Sequence, residues 1–240
     1  MSRRVFVVVG AKGGVGTTST AIKLVKRFPT LGERVIVDAD LAGKRSLAVW
    51  YDLSDVLDSA RVIGSVTVAP AESGTLVMEL ARTYEDGLIQ NAAIVTRAIE
   101  SLSEHALVVV DAPQPFAATI RPFIARATKI IVITEPSIMG IAGAKALLAA
   151  LERSGVQQSR IALTVSDLKG KGGIPRAQIE RELQMSVSAE LPNEKDRRFE
   201  SLFDAFVTML TRAAASFGEP NQPTEKPVFD RRLDPGELFL

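Results

Sequence analysis

Val5-Phe-Val-Val-Val-Gly-Ala-Lys-Gly-Gly-Val-Gly-Thr-Thr18 decides the fold. Five apolar residues in a row, Val5–Val9, read as a strand buried on both faces, because nothing polar alternates with them. Gly10 to Thr18 then turn the chain, and Ala21, Leu24, Val25 and Phe28 recur at the spacing of one helix face. A glycine-rich turn between a buried strand and a helix lets backbone N–H groups converge on an anion at the positive helix end. The segment therefore reads as a phosphate-binding loop. Ala11, Lys12, Gly13, Gly14, Val15, Gly16, Thr17 and Thr18 are the candidate phosphate contacts, and the Thr18 hydroxyl stands where Mg²⁺ would be ligated. The loop departs from G-x-x-x-x-G-K-[ST] at two places: Ala11 takes the first glycine position and Thr17 the lysine position.

Outward from this unit, short runs rich in Val and Ile recur at Arg34–Val37, Val66–Ala69, Ala106–Val110, Lys129–Ile133 and Arg160–Val165. Helical stripes lie between them. Leu88, Ala92, Val95, Ile99 and Leu102 read as one, Ala144, Leu147, Leu148 and Leu151 as another, and Phe199, Leu202, Phe203, Phe206 and Leu210 as a last. Strands alternating with helices predict an α/β fold, a mostly parallel central sheet with helices on both faces. The Phe-rich helix is expected to pack on that sheet. After Gly218 a Pro-containing linker, Glu219–Pro227, leads to a tail with apolar residues, so residues 1–217 form the expected domain and 218–240 a linker and tail that straps back or docks a partner.

Bulk composition removes several classes of function. The 240 residues include no cysteine, which excludes disulfides and thiolate-bound clusters, and a single histidine, His105, which leaves no histidine-based metal site. His105 reads as a loop residue before the strand that starts at Ala106. A net charge of +1 gives no global attraction to nucleic acid or anionic lipid. No apolar run approaches the ~18 residues of a membrane span, so a cytoplasmic protein is expected, peripheral to a membrane or cell pole only through partners.

Further motifs give the loop a context. Val35-Ile-Val-Asp-Ala-Asp40 ends the second strand with two carboxylates, and Val108-Val-Val-Asp-Ala-Pro113 places Asp111 at the end of another. An acid there can hold Mg²⁺ directly or through water. Lys12 within Lys12-Gly-Gly-Val-Gly16, followed by these acids and by Ile131-Val-Ile-Thr-Glu-Pro136, resembles the ParA/MinD family of deviant Walker A P-loop ATPases over roughly Arg4 to Phe217. The resemblance implies ATP and Mg²⁺ as cofactors. It makes Lys12 the residue that reaches across an ATP-bound homodimer to the partner's nucleotide, and Asp40 the residue that orients the attacking water, so Lys12 and Asp40 are the catalytic candidates. Thr18, Asp38 and Asp111 become the Mg²⁺ candidates. Pro192 falls where relatives lay backbone beside the base, and Ser166-Asp167 stands in place of the usual base-reading asparagine.

Within the family, Ala11–Thr18 and the layout of Ser46–Leu57 most resemble the CpaE/TadZ branch. That implies an ATP-dependent positioning switch with weak hydrolysis, whose protein partner belongs to Flp/Tad pilus or secretion machinery. A DNA-segregation ATPase is the alternative, with Arg176, Arg181, Lys195, Arg197 and Arg198 as the basic surface. A nucleotide-binding scaffold without turnover is another. A MinD-like membrane anchor fits less well, because Asp230–Leu240 carries both signs of charge.

Overall fold

The computed structural model describes residues 3–53, 61–63, 66–71, 73–113, 118–167, 170 and 173–216; the tail from 218 onward and residues 54–57 of the Ser46–Leu57 segment lie outside them. Strand β1 (Arg4–Gly10) leads through the glycine loop into helix α1 (Thr17–Arg27). There follow β2 (Arg34–Asp38), α2 (Ser46–Trp50), β3 (Arg61–Ile63), β4 (Val66–Pro70), β5 (Thr75–Glu79), α3 (Tyr84–Ile89), α4 (Ala92–Glu100) and β6 (Leu107–Asp111). The chain continues as α5 (Arg121–Arg126), β7 (Lys129–Thr134), α6 (Ile138–Arg153), β8 (Ile161–Asp167), α7 (Arg176–Leu183), β9 (Val187–Pro192) and α8 (Phe199–Ser216).

These strands form one sheet in the order β3-β4-β5-β2-β6-β1-β7-β8-β9. Every pairing from β5 to β9 is parallel; β4 alone runs against its neighbours β3 and β5. The expected α/β architecture is present. Alternation along β1 shows why both faces are closed. Val5, Val7 and Val9 enter the core shared with α4, α5, α6 and α7, whereas Phe6 and Val8 enter the core shared with α1, α2 and α8. From β1 the chain crosses to β2 on one side and later reaches β7 on the other. The glycine loop therefore leaves the sheet at its topological switch point, where open α/β sheets bind ligands.

Three strands have no counterpart among the expected runs. Of these β5 is internal, paired with both β2 and β4, and its Thr75 and Glu79 are buried at either end. Polar residues at both ends of five hide its apolar character. At the sheet edge β9 alternates, with Val187 and Leu191 buried between more exposed residues. The stripe from Leu88 to Leu102 is divided, not continuous. Asn91 accepts N–H bonds from Ala93 (3.0 Å) and Ile94 (3.1 Å), starting α4 afresh, and Leu88 is left exposed on α3. In the last helix Phe199, Phe203, Phe206 and Leu210 are buried against the sheet as expected, while Leu202 is exposed. Arg27 of α1 binds Asp204 of α8 at 3.0 Å and also Glu200, tying the two helices.

Candidate functional site

The glycine loop owes its shape to backbone constraints at both ends. At the entry, the Ala11 N–H donates to Ile133 O at 2.8 Å, and α6 passes so close that a Cβ on Gly143 would lie 2.2 Å from Ala11 O. At the exit, Gly16 has φ 91°, a left-handed conformation that lets the turn enter α1 with its N–H groups exposed. Val15 is anchored in the core, whereas Gly13 and Gly14 are exposed with open space where side chains would project. A cradle of bare backbone therefore faces solvent, above the start of an eleven-residue helix with no acidic residue in its first turn.

Thr18 and Asp111 meet at this cradle. The Thr18 hydroxyl donates to Asp111 Oδ2 at 2.6 Å, while Asp111 Oδ1 is buried with no hydrogen-bond partner. Burial pushes the Asp111 carboxyl up to about 6. The Thr18 bond works against this shift, and nearby Asp38 and Asp40 add to it. A buried, underbonded carboxylate oxygen beside a hydroxyl, flanked by further negative charge, is what a divalent cation satisfies. These residues fit Mg²⁺.

Asp38 lies beside Asp111 as its Cα partner across β2 and β6. Its two oxygens have other work: Oδ1 accepts the Asp40 N–H (3.1 Å) and Oδ2 the Leu47 N–H (3.1 Å). Burial raises its pKa, partly offset by those N–H bonds. The second strand ends at Asp38, so Asp40 stands past it in a side-chain-closed turn and not on the strand as the sequence suggested. Asp40 is itself buried, accepts the Ala42 N–H at 2.9 Å and lies 3.9 Å from Lys44 Nζ.

Lys12 is held at the rim of the loop. Its Nζ is 2.9 Å from Glu135 Oε1, an oxygen that also accepts the Ser137 hydroxyl at 2.7 Å. Ser137 in turn caps α6 by accepting the Gly140 N–H. Thr17, the first residue of α1, brings no charge to the inner position.

At the other end of the site, a cavity of about 330 Å³ opens over the ends of β8 and β9, lined by Pro136, Val165, Asp167, Leu191, Pro192 and Arg198 among others. Register brings Asp167 directly beside Pro192, and Ser166 beside Leu191. Ser166 is buried under the cavity and does not line it. All the candidate residues thus fall along one carboxyl edge of the sheet, from Asp38 through the glycine loop to Pro192. The sequence reading missed Glu135 and Glu79, the two glutamates at strand ends that hold the site's cations. A charged residue closing an apolar run was their only local sign.

Two of the five residues of the proposed basic surface are held in ion pairs. Arg176 pairs with Glu180 (3.0 Å) and Glu190 (3.6 Å), and Arg198 with Asp196 (2.8 Å). Among the described residues no group of His, Cys, Asp and Glu forms a metal cluster of its own, and no helix is long and apolar enough to cross a membrane.

No protein-family model matches the chain. It is 28% identical to the septum site-determining protein MinD of Synechocystis sp. over 69% of this chain and 65% of that protein. It is 30% identical to the antiactivator FleN of Pseudomonas aeruginosa over 62% of this chain and 57% of that one. It thus spans less than two thirds of either relative's length. MinD of Pyrococcus horikoshii, solved as a complex with Mg-ADP, superposes with a TM-score of 0.66 at 17% identity, covering 88% of this chain and 97% of that one. A ParA family ATPase from Chlorobium tepidum superposes at 0.61 with 18% identity, covering 89% and 96%. The chain is thus similar in sequence to MinD and FleN proteins, and it shares the fold of the MinD and ParA structures.

Proposed function

We propose that the chain is an ATP-dependent dimerising switch that positions a macromolecular assembly and hydrolyses ATP slowly. One observation carries this reading. The loop's lysine is held at its outer rim on Glu135, while the inner position, which would bring positive charge to the chain's own phosphates, is Thr17. The cradle lacks a cation that a second copy can supply. Each Lys12 then finds a triphosphate only when two loops face one another, which makes ATP binding and dimerisation one event and couples them by mass action.

Within each subunit, Gly13 to Thr18 bind phosphate through backbone N–H groups. Thr18 and Asp111 would hold Mg²⁺, with Asp38 keeping its negative field beside them, and Asp167 and Pro192 would flank the base. Bound there, the ion would offset the negative charge of the triphosphate. Asp40 orients the attacking water. Loss of one preorganised electrostatic contact costs about 2.7–4 kcal/mol of transition-state stabilisation, so turnover below the ~1–100 s⁻¹ of kinases is expected. The assembly positioned is Flp/Tad pilus or secretion machinery, a reading supported by the early-lysine, late-threonine loop Ala11–Thr18.

Sedimentation with and without ATP and Mg²⁺ tests the switch. The parent protein is expected to go from monomer to dimer with ATP and not with AMP; equal behaviour with both nucleotides removes the case. Asp40→Ala is expected to form the dimer and keep it. If that trapped dimer recovers no pilus or secretion component from cells carrying such machinery, the pilus assignment is wrong while the switch stands.

A further inference from the structure

Glu79 ends β5 fully buried, in a place where an apolar residue would be expected. Its Cα partner on β2 is Asp38, whose own partner on β6 is Asp111, so three carboxylates stand at one level across three adjacent strands. Burial and the charge of Asp38 disfavour ionisation of Glu79, and Arg45 favours it. Arg45 Nε lies 3.3 Å from Glu79 Oε1. The arrangement is costly in several ways. Arg45 has a left-handed backbone (φ 54°), which a non-glycine residue rarely adopts, and Arg45 Nη2 and Glu79 Oε2 are buried without hydrogen-bond partners. Apolar replacements of buried ion pairs are commonly neutral or stabilising, so stability does not account for this pair.

Its position does. Arg45 is the last residue of the loop Ala39–Arg45, which carries Asp40 from the end of β2 to α2. Asp38 fastens the start of that loop through the Asp40 N–H, and it fastens α2 through the Leu47 N–H. The middle rests on the chain beyond β5: Gly43 packs against Thr83, and Gly87 of α3 sits so close to Leu41 O that a Cβ would come within 1.9 Å. The Arg45–Glu79 pair fastens the far end. It also keeps the guanidinium on β5, three strands from β1 and hence about 14 Å away at ~4.8 Å per strand. The nearer cation for the Asp40 turn is Lys44.

We propose that Glu79 is a positioning residue: acting through Arg45, it fixes the Ala39–Arg45 loop and so the place of Asp40 at the phosphate site. The consequence for hydrolysis rests on the ATPase reading above; the fixing of the loop does not.

Two variants test it, Glu79→Gln and the apolar double replacement Glu79→Leu with Arg45→Leu. The double variant removes both buried charges and keeps the fold stable enough to measure. In both, amides of residues 39–47 are expected to exchange hydrogen at least tenfold faster, with β1 and β6 unchanged. ATP affinity and ATP-dependent dimerisation are expected to stay within about threefold of the parent's, while kcat falls about tenfold or more. Unchanged exchange over 39–47 in the double variant overturns the proposal. So does a kcat that recovers when the double variant restores stability, since the pair would then be structural only. If the parent neither dimerises nor hydrolyses ATP, the ATPase reading fails, and the exchange measurement still decides whether Glu79 fixes the loop.

Discussion

Two loops at the carboxyl edge each have a basic side chain held by a glutamate from a strand end, and they hold it differently. In the glycine loop, Lys12 is 34% exposed and its partner Glu135 19% exposed. In the Ala39–Arg45 loop, Arg45 is 24% exposed and Glu79 0%. Both members of the first pair keep partial access to water, where an ion pair contributes less and exchanges more easily. In the second, the carboxylate has no access to solvent, so separating the charges strands one of them in the interior. A releasable cation and a fixed one thus lie within one site. The comparison indicates which loop can reach a partner and which must hold still.

The largest effect expected is at the releasable cation. Lys12→Ala should abolish the ATP-dependent shift from monomer to dimer in sedimentation and move unfolding stability by no more than about 0.5 kcal/mol, as surface changes do. A variant that still dimerises with ATP as the parent does would remove the functional half of the contrast. Next in size is a paired measurement of the glutamates by urea unfolding. Glu79→Ala should lower stability by about 3 kcal/mol, because Arg45 loses its buried partner. Glu135→Ala should cost under about 1 kcal/mol and leave ATP-dependent dimerisation intact or improved. Equal losses would erase the distinction.

Asp111 sharpens the picture from the acid side. Its carboxyl is pushed up to about 6, above the ordinary 3.8 of an aspartate. A carboxyl with a raised folded pKa favours the folded state fully below its unfolded pKa, and that contribution is lost as pH rises through the folded value. In EDTA, Asp111→Asn should therefore raise the melting temperature by a few degrees at pH 7.5. The gain should shrink as pH falls through 6 and vanish below about 4. A gain independent of pH would show that charge burial at Asp111 is not the cause.

The two pairs also differ in how far they were legible. Lys12 stood out through the family resemblance that its glycine loop carries, yet its partner Glu135 lies more than a hundred residues away. Arg45 carries no local sign of its partner; the structure fastens it to Glu79, at the end of a strand the sequence hid. Thr18, as a candidate Mg²⁺ residue, was legible from the phosphate-loop pattern, and Asp111 from its place at the end of an apolar strand. Their 2.6 Å contact needed the pairing of β1 with β6.

What the sequence determined by itself was local. Val5–Val9 had to be buried on both faces, glycines had to turn the chain into α1, and apolar runs of this length and spacing had to make a parallel sheet, because backbone sterics and burial act over a few residues. Tertiary structure decided the rest. Strand order set Glu79, Asp38 and Asp111 side by side, joined Asp167 to Pro192 over a cavity, and gave Lys12 and Arg45 glutamates of unequal exposure. Whether an ion pair is releasable depends on the water left around it, and that is fixed only when distant strands have closed on one another.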